Sequence, residues 1–192
     1  SIRAIHAAID AGVTIIDTAP VYGFGRSEEV VGKAIASRRE GLIIASKCGM
    51  RWDTDKGRLF FRTGDDEIRG DGDKAVHIYQ APESVRSDVE ASLRRMNVEC
   101  IDLLQTHWQD ETTPLADTIG EMEQLQQEGK VRWIGACNAS LVQLDEYRGS
   151  QLFVSAQEKY SMLDRAPESI QLPYVVEHGL GFLAYSPMAN GL

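Results

Sequence analysis

The sequence has little cysteine and no apolar run long enough for a membrane helix. Its 192 residues include only 3 cysteines, Cys48, Cys100 and Cys137. An odd number of cysteines without a Cys-x-x-Cys pair fits a reducing compartment, so we expect a cytoplasmic protein without structural disulfides. No apolar stretch approaches the roughly 20 residues that cross a bilayer, and we therefore predict no membrane association.

Positive charge is also scarce. The sequence has 29 acidic and 20 basic residues, which gives a formal net charge of −9. This balance argues against non-specific binding to nucleic acid or to an anionic membrane surface. The apolar fraction of 43% and the charged fraction of 26% are typical of a globular protein with a buried core. The length predicts a single domain over residues 1–192.

The sequence lacks an initiating methionine and a secretory signal peptide. Residues 1–11 instead alternate apolar and polar positions at helical spacing. The chain thus starts within a predicted helix, and it stops within a segment that contains glycine. We therefore expect this sequence to be part of a longer protein.

Short apolar runs alternate with amphipathic segments along the chain. The apolar runs predict six buried parallel strands over residues 13–17, 42–47, 101–107, 131–137, 153–157 and 181–185. The segments between them predict helices over residues 1–11, 28–37 (capped by Ser27), 82–96, 115–128, 140–148 and 167–178 (broken at Pro173). Residues 48–81 are too long for a plain connection and are predicted to form a functional loop or lid.

This alternation of strands and helices is typical of an α/β protein with a parallel sheet. It leaves two closures open, a doubly wound sheet and a (β/α)8 TIM barrel. A barrel requires eight strands and about 250 residues. For a barrel, the sequence would contain about six of the eight βα units, with one strand before Ser1 and one after Leu192.

Polar side chains stand at or just after the end of each predicted strand. They are Asp17, Lys47, His107, Asn138, Gln157 and Tyr185. The carboxyl ends of parallel strands meet at one edge of the sheet, where ligands bind in α/β proteins. We therefore expect these six side chains to form one site.

The residue types in this set suit one kind of chemistry. A lysine beside a tyrosine stabilises phenolate and lowers a pKa that starts near 10, so the tyrosine can act as an acid. A carboxylate can hold that lysine, and a histidine can bind a substrate oxygen. Asparagine and glutamine suit a carboxamide, and a second tyrosine offers a stacking face. Together they suit hydride transfer from a nicotinamide to a carbonyl, with tyrosine as the proton donor.

Six features in order resemble the aldo-keto reductase family, in particular its bacterial NADPH-dependent members. They are DTAPVYG at residues 17–23, Lys47 at its strand end, QTHW at 105–108, GACN at 135–138, QEKY at 157–160 and YSPMANGL at 185–192. Each motif alone is weak, but the ordered set is specific, and it covers residues 17–192.

The resemblance implies a (β/α)8 barrel that reduces aldehydes or ketones with NADPH, NADH not being excluded. It makes Tyr22 the general acid, Lys47 the residue that lowers its pKa, Asp17 the partner of Lys47, and His107 the residue that orients the carbonyl. The implied cofactor-binding residues are Cys137, Asn138, Gln157, Tyr185, Ser186, Pro187, Met188, Asn190 and Gly191. Cys137 stands where the family usually has serine, which weakens one hydrogen bond to the carboxamide.

The pocket, the partners and two alternatives complete this interpretation. Trp52 and Trp108 are predicted to line a pocket for a small carbonyl substrate. The family's 2′-phosphate-binding residues lie beyond Leu192. A regulatory subunit on the same fold, like the potassium-channel β-subunits, would hold the cofactor with little turnover. A metal-dependent barrel hydrolase would use Asp17 and His107 but leaves Lys47 and Tyr22 unexplained, and we predict no metal site.

Overall fold

A computed structural model describes residues 1–63, 73–189 and 191 of the chain. The strands are β1 Ile15–Asp17, β2 Ile43–Cys48, β3 Met50–Arg51, β4 Arg58–Arg62, β5 Ala75–Ile78, β6 Ile101–Thr106, β7 Val131–Cys137, β8 Phe153–Lys159 and β9 Gly181–Tyr185. The helices are α1 Ile2–Asp10, α2 Arg26–Ile35, α3 Pro82–Met96, α4 Leu115–Gln127, α5 Leu141–Tyr147 and α6 Gln171–Glu177, with a 3₁₀ turn at Ala166–Ser169.

Six strands form one parallel sheet in the order β1-β2-β6-β7-β8-β9. Along the chain, each of these six strands is added next to the previous one and always on the same side, so the strand order never reverses. A doubly wound sheet reverses at a switch point, whereas a (β/α)8 barrel does not. The fold is therefore part of a (β/α)8 barrel, and the six predicted parallel strands are confirmed.

The hydrophobic core lies between the sheet and the helices on its outer face. The helices contribute buried apolar side chains such as Val31, Ile35, Val85, Val89, Met122, Leu125 and Leu144, which pack against Ile44, Leu104, Ile134 and Ala156 of the sheet. Each fully buried side chain of this size contributes about 1.5–3 kcal/mol relative to its exposed state. Within the described residues, no helix has both the length and the apolar surface needed to cross a membrane.

The inner face of the sheet changes from apolar to polar toward the carboxyl ends of the strands. Because alternate residues share a face, Ile43 and Lys47 both point inward from β2, as do Trp133 and Cys137 from β7. Gly135 lies between the latter two. A Cβ atom there would approach Ser155 Oγ to 2.6 Å. A glycine at this position therefore lets β7 and β8 pair closely beside the site.

Residues 48–81, for which the sequence predicts a functional loop or lid, contain a small sheet that was not predicted. β3, β5 and β4 form a small antiparallel sheet in that order. The ladder has a bulge between Leu59 and Phe61, so Phe60 has no paired residue on β5. A bulge interrupts the two-residue periodicity by which a strand is recognised in a sequence. Residues 64–72 lie outside the described part of the chain.

Two predicted helix features also differ. Helix α2 begins at Arg26, after Gly25 with φ 96°, and the Ser27 hydroxyl does not cap it. Ser27 Oγ instead shares a 2.8 Å hydrogen bond with Thr18 Oγ1. The break near Pro173 falls earlier, at Ile170. Pro173 then lies in the first turn of α6, where a missing N–H costs no helical hydrogen bond.

Candidate active site

Asp17, Lys47 and Tyr22 form a hydrogen-bonded chain at the carboxyl ends of β1 and β2. Lys47 Nζ donates to Asp17 Oδ2 at 2.6 Å and to the Thr18 carbonyl at 3.1 Å. The same ammonium lies 3.5 Å from Tyr22 Oη. Lys47 is 1% exposed, whereas Tyr22 is 43% exposed. A buried cation is thus neutralised on one side and faces an accessible phenol on the other.

The pKa values of Tyr22 and Lys47 reflect burial and mutual charge. Burial raises the pKa of Tyr22, and the Lys47 ammonium opposes this without reversing it. The net shift is thus upward, contrary to the expected lowering, because burial and the Asp17 carboxylate together outweigh Lys47. Burial lowers the pKa of Lys47, but the Asp17 carboxylate, together with Tyr22 and Cys137, outweighs that effect and the net shift is upward. Tyr22 is therefore a neutral phenol and Lys47 an ammonium at neutral pH.

His107 follows β6 and lies beside Tyr22. The two rings meet edge to face, with centroids 5.6 Å apart and planes at 85°. Burial, together with repulsion from Lys47, lowers the pKa of His107 to about 3. The imidazole is therefore neutral and can donate one N–H to a ligand without bringing a charge.

Two glutamines complete the polar layer around Asp17. Gln105 Nε2 donates to Asp17 Oδ1 at 3.1 Å. Gln157 Nε2 lies 3.5 Å from Asp17 Oδ2 and 3.4 Å from Gln105 Oε1. Both oxygens of Asp17 therefore already accept donors, which disfavours a metal ion at this carboxylate. Across the described residues, no three His, Cys, Asp or Glu side chains group in a way that could hold a metal ion.

The side chains predicted to bind a cofactor lie next to this layer. Asn138 Nδ2 donates to the His107 carbonyl at 3.0 Å, and Asn138 Oδ1 accepts from Tyr185 Oη at 2.9 Å. Cys137 Sγ lies 3.6 Å from Gln157 Oε1, and burial raises the pKa of Cys137 far above its usual range. The structure thus gathers Cys137, Asn138, Gln157 and Tyr185 at the same sheet edge as the catalytic candidates.

The segment after β9 turns tightly past this edge. Ser186 and Ala189 have φ values of 51° and 43°, and Gly191 has 111°. Backbone N–H groups of Ala189 and Gly191 donate to the carbonyls of Ser186 and Met188. Pro187 and Met188 are exposed. Asn190 and Leu192 lie outside the described residues.

An apolar pocket of about 430 Å³ opens beside Tyr22 and His107. Its lining is Val21, Tyr22, Gly23, Phe24, Met50, Phe60, Phe61, His107 and Trp108. Trp108 packs against Phe60 with ring centroids 5.0 Å apart. Trp52 does not line the pocket, but it packs at 5.3 Å against Phe24, which does. The sequence prediction did not include Phe24 or Met50.

A larger cavity of about 690 Å³ opens at the amino ends of β2, β6 and β7. Its charged lining includes Arg39 and Arg132, and both guanidinium groups pair with the buried Asp102 carboxylate. Its lining includes no tyrosine or histidine, in contrast to the pocket beside Tyr22 and His107. The smaller pocket at the carboxyl ends is therefore the better candidate for the active site.

Three other residues near the site were not among the predicted site residues. Gln109 and Tyr147 are hydrogen-bonded to each other at 3.0 Å in the layer behind His107. Glu158 accepts the Ala139 N–H at 3.0 Å, and burial raises the pKa of Glu158 to about 7. Of these three residues, Glu158 had a sequence signal, because it is a polar residue directly after the predicted strand-end residue Gln157. Gln109 and Tyr147 had no comparable signal.

Comparison with known proteins identifies the family. Residues 1–192 match the aldo/keto reductase family. A NADH-specific methylglyoxal reductase of Escherichia coli is 40% identical over 185 residues, which cover 94% of this chain and 54% of that protein. The chain belongs to the aldo/keto reductase family.

Solved structures agree with this assignment. The glycerol dehydrogenase AKR11B4 from Gluconobacter oxydans has a TM-score of 0.85 and 38% identity, covering 99% of this chain and 54% of that one. An aldo/keto reductase from Klebsiella pneumoniae in complex with NADP and acetate has a TM-score of 0.76 and 29% identity, covering 98% and 58%. The chain thus spans about half the length of the relatives that it matches.

Proposed function

We propose that the protein reduces an aldehyde or ketone to an alcohol with a nicotinamide cofactor. The observation that carries this proposal is the Asp17–Lys47–Tyr22 chain, which ends on an accessible phenol beside an apolar pocket. When bound, NADPH or NADH supplies the hydride that reduces the carbonyl carbon. The protein must then supply one proton to the carbonyl oxygen.

Tyr22 is the proposed proton donor. It is a neutral phenol at neutral pH, so the proton is present when the substrate arrives. As the proton leaves, negative charge develops on Tyr22 Oη, 3.5 Å from the Lys47 ammonium. Asp17 holds that ammonium charged and in place. Lys47 therefore stabilises the transition state more than the ground state, which is the requirement for catalysis.

His107 is proposed to orient the substrate. Its ring lines the pocket beside Tyr22, so a carbonyl oxygen can reach both groups. Because the imidazole is neutral, its N–H binds that oxygen without competing as a stronger acid. A donor fixed before the reaction stabilises the developing charge without reorganisation.

The donor set fits a nicotinamide carboxamide. Asn138 uses one Nδ2 hydrogen on the His107 carbonyl, which leaves a second amide hydrogen for a ligand. The Gln157 contacts of 3.4 and 3.5 Å are long, so this amide can reorient at little cost. Tyr185 offers a half-buried ring at the end of β9. Residues 186–189 and Gly191 would lie along the pyrophosphate. One named relative is NADH-specific and another was solved with NADP, so the proposal covers both NADH and NADPH.

The alternative of a regulatory subunit receives less support. The named relatives are described as a reductase and a dehydrogenase, and the complete Asp17–Lys47–Tyr22–His107 set is present. A regulatory protein would not need a phenol poised between a pocket and an ammonium. We also propose a cytoplasmic setting, which the three free cysteines support.

The test is NADPH and NADH oxidation by the full-length protein against a panel of aldehydes and ketones. Tyr22→Phe removes only the phenol proton, so kcat should fall by about 10²–10⁴-fold while cofactor binding is retained. Tyr174→Phe is the matched control, because its hydroxyl binds Asp145 on the outer helices. A Tyr22→Phe variant that keeps most of kcat would remove Tyr22 from this role. A wild-type protein that holds cofactor without turnover would favour the regulatory function.

A further inference from the structure

A closed ring of hydrogen bonds lies directly behind the active site. Thr106 ends β6, Gln109 lies two residues after His107, and Tyr147 ends α5. Thr106 Oγ1 lies 2.7 Å from Tyr147 Oη, Tyr147 Oη lies 3.0 Å from Gln109 Oε1, and Gln109 Nε2 lies 3.1 Å from Thr106 Oγ1. Thr106 and Tyr147 are 0% exposed and Gln109 is 9% exposed. We call these three residues the buried triad.

The protons of the buried triad can be assigned completely. Gln109 Nε2 has two hydrogens, and they go to Thr106 Oγ1 and to the Cys137 carbonyl at 2.8 Å. The single Tyr147 hydroxyl proton goes to Gln109 Oε1. The Thr106 hydroxyl proton is then the one shared with Tyr147 Oη. Each donor is used once, so the orientation of the Gln109 amide is fixed.

The fourth contact connects the buried triad to the cofactor side of the site. The Cys137 carbonyl belongs to the peptide that joins Cys137 to Asn138. Gln109 holds the oxygen of that peptide, and the Gln157 carbonyl accepts its N–H at 3.0 Å. The peptide plane is thus held at both ends. Asn138 has φ 55°, a left-handed conformation that this anchoring helps to maintain.

The buried triad also holds the substrate side. Thr106 and Gln109 tie together the two ends of the short segment that contains His107. The His107 N–H donates to the Cys48 carbonyl, and the His107 carbonyl accepts from Asn138 Nδ2. The backbone of His107 and the side chain of Asn138 are therefore fixed relative to each other. Tyr147 itself is held by stacking on Phe153, with centroids 5.2 Å apart.

We infer that Thr106, Gln109 and Tyr147 are positioning residues, which set the relative placement of the His107 imidazole and the Asn138 amide. The inference rests on the proposed function for what these two groups bind. None of the three contacts the pocket. Their effect is therefore expected on cofactor affinity and on the efficiency of reduction together, because one network holds both groups.

The experiment compares Tyr147→Phe with Tyr174→Phe in the full-length protein. Each variant loses the hydroxyl of a buried tyrosine that donates to one side-chain oxygen. Tyr147 Oη also accepts from Thr106, whereas Tyr174 lies between the outer helices. We measure the Kd for NADPH by fluorescence quenching, kcat/KM for a carbonyl substrate per folded molecule, and the thermal midpoint. Tyr147→Phe should weaken NADPH binding and lower kcat/KM, each by about tenfold, because small misplacements of reacting groups are costly. Tyr174→Phe should change neither.

A merely structural role would give a different result. Tyr147→Phe would then lower the thermal midpoint but leave both Kd and kcat/KM per folded molecule at the wild-type values, which would overturn the inference. The Kd also separates the two proposals. If the wild-type protein binds NADPH but reduces no carbonyl, the proposed function fails. The positioning role can still be tested in that case. A tenfold rise in the Kd of Tyr147→Phe for NADPH supports it, and an unchanged Kd rejects it.

A second pair of variants covers the case in which Tyr147→Phe does not fold. Thr106→Val keeps the shape of the side chain but removes its donor and acceptor, whereas Thr106→Ser keeps both. Thr106→Val should reproduce the loss in Kd and kcat/KM, and Thr106→Ser should restore most of it. Equal behaviour of the two variants would reject the hydrogen-bonded role.

Discussion

At the scale of single residues, Lys47 has the most constrained charge in the site. Its ammonium is 1% exposed, so it has lost nearly all of its hydration. Hydrogen bonds to Asp17 and to the Thr18 carbonyl replace that hydration. Such a pair costs energy to bury, and breaking it leaves an uncompensated charge. The arrangement is therefore more useful for chemistry at Tyr22 than for stability.

Replacing Lys47 tests its effect on Tyr22. In Lys47→Met the pKa of Tyr22 should rise further, since burial would act without the opposing ammonium. The alkaline limb of the kcat profile should move to higher pH, and kcat should fall because phenolate is no longer stabilised. Stopped-flow or steady-state rates across pH measure both. Lys130→Met, which loses surface ion pairs to Glu90 and Glu128, is the control. An unmoved profile in Lys47→Met would make this residue structural.

Glu158 provides a residue-scale prediction about stability. Burial raises its pKa to about 7, whereas an unfolded glutamate titrates near 4.3. Between these two values the folded state retains a proton that the unfolded state has released. Glu158 therefore destabilises the fold as pH rises from about 4 to about 7, with no further change above that.

Glu158→Gln should remove this dependence. The glutamine keeps an oxygen for the Ala139 N–H but does not titrate. The free energy of unfolding of the variant, relative to wild type, should rise between pH about 4 and about 7 and then level off. Urea unfolding at a series of pH values measures it. Glu177→Gln, on the exposed face of α6, is the control. A difference that stays constant with pH contradicts the prediction.

At the scale of elements, the small antiparallel sheet forms one wall of the pocket. The bulge in β4 leaves Phe60 out of the ladder with β5, and its ring lies against Trp108. Bulges often redirect a side chain beside an active site. The wall is thus aromatic, and we propose that it favours substrates with an apolar or aromatic group next to the carbonyl.

Phe60→Ala should therefore change substrate preference. KM for an aryl aldehyde should rise by about two- to tenfold relative to KM for a small aliphatic aldehyde, because an aromatic contact is worth about 0.5–1.5 kcal/mol. Leu59→Ala is the matched control, since Leu59 is exposed on the same strand and does not line the pocket. Parallel changes of KM for both aldehydes in Phe60→Ala would mean that the wall does not discriminate.

The same elements explain what could be predicted from the sequence. Strands such as β6 and β7 could be recognised because each is a short, mainly apolar run between helical segments. The carboxyl ends of parallel strands converge, so Lys47 and His107 could be placed together. The small sheet was missed because its bulge breaks the two-residue period. The buried triad was missed because Thr106 and Tyr147 are 41 positions apart, and neither the QTHW motif around Thr106 nor the helical spacing around Tyr147 indicates that the two side chains meet. The upward shift of the Tyr22 pKa depends on burial, which spacing alone does not specify.

At the scale of the whole molecule, the inner face of the sheet is apolar away from the active site. Ile15 and Ile43 are paired across β1 and β2, and they are 45% and 42% exposed. Trp133 on the same face is 43% exposed. Among the described residues, β1 and β9 each pair with one strand only. Exposed strand edges beside apolar side chains promote association with other chains.

We therefore expect residues 1–192, produced alone, to self-associate and not to form an active monomer. Replacing the paired residues with opposite charges, Ile15→Lys and Ile43→Glu together, should reduce that association because both side chains lie on the exposed inner face. The matched control is Val142→Lys with Val176→Glu, which introduces the same two charges at exposed valines on α5 and α6, 77% and 79% exposed. Light scattering gives the mass, and NADPH quenching gives the cofactor affinity. A wild-type stretch that is monomeric and binds NADPH with micromolar affinity would refute the expectation. Equal relief of association by both pairs of substitutions would show that added surface charge at any position is sufficient and that the inner face has no special role.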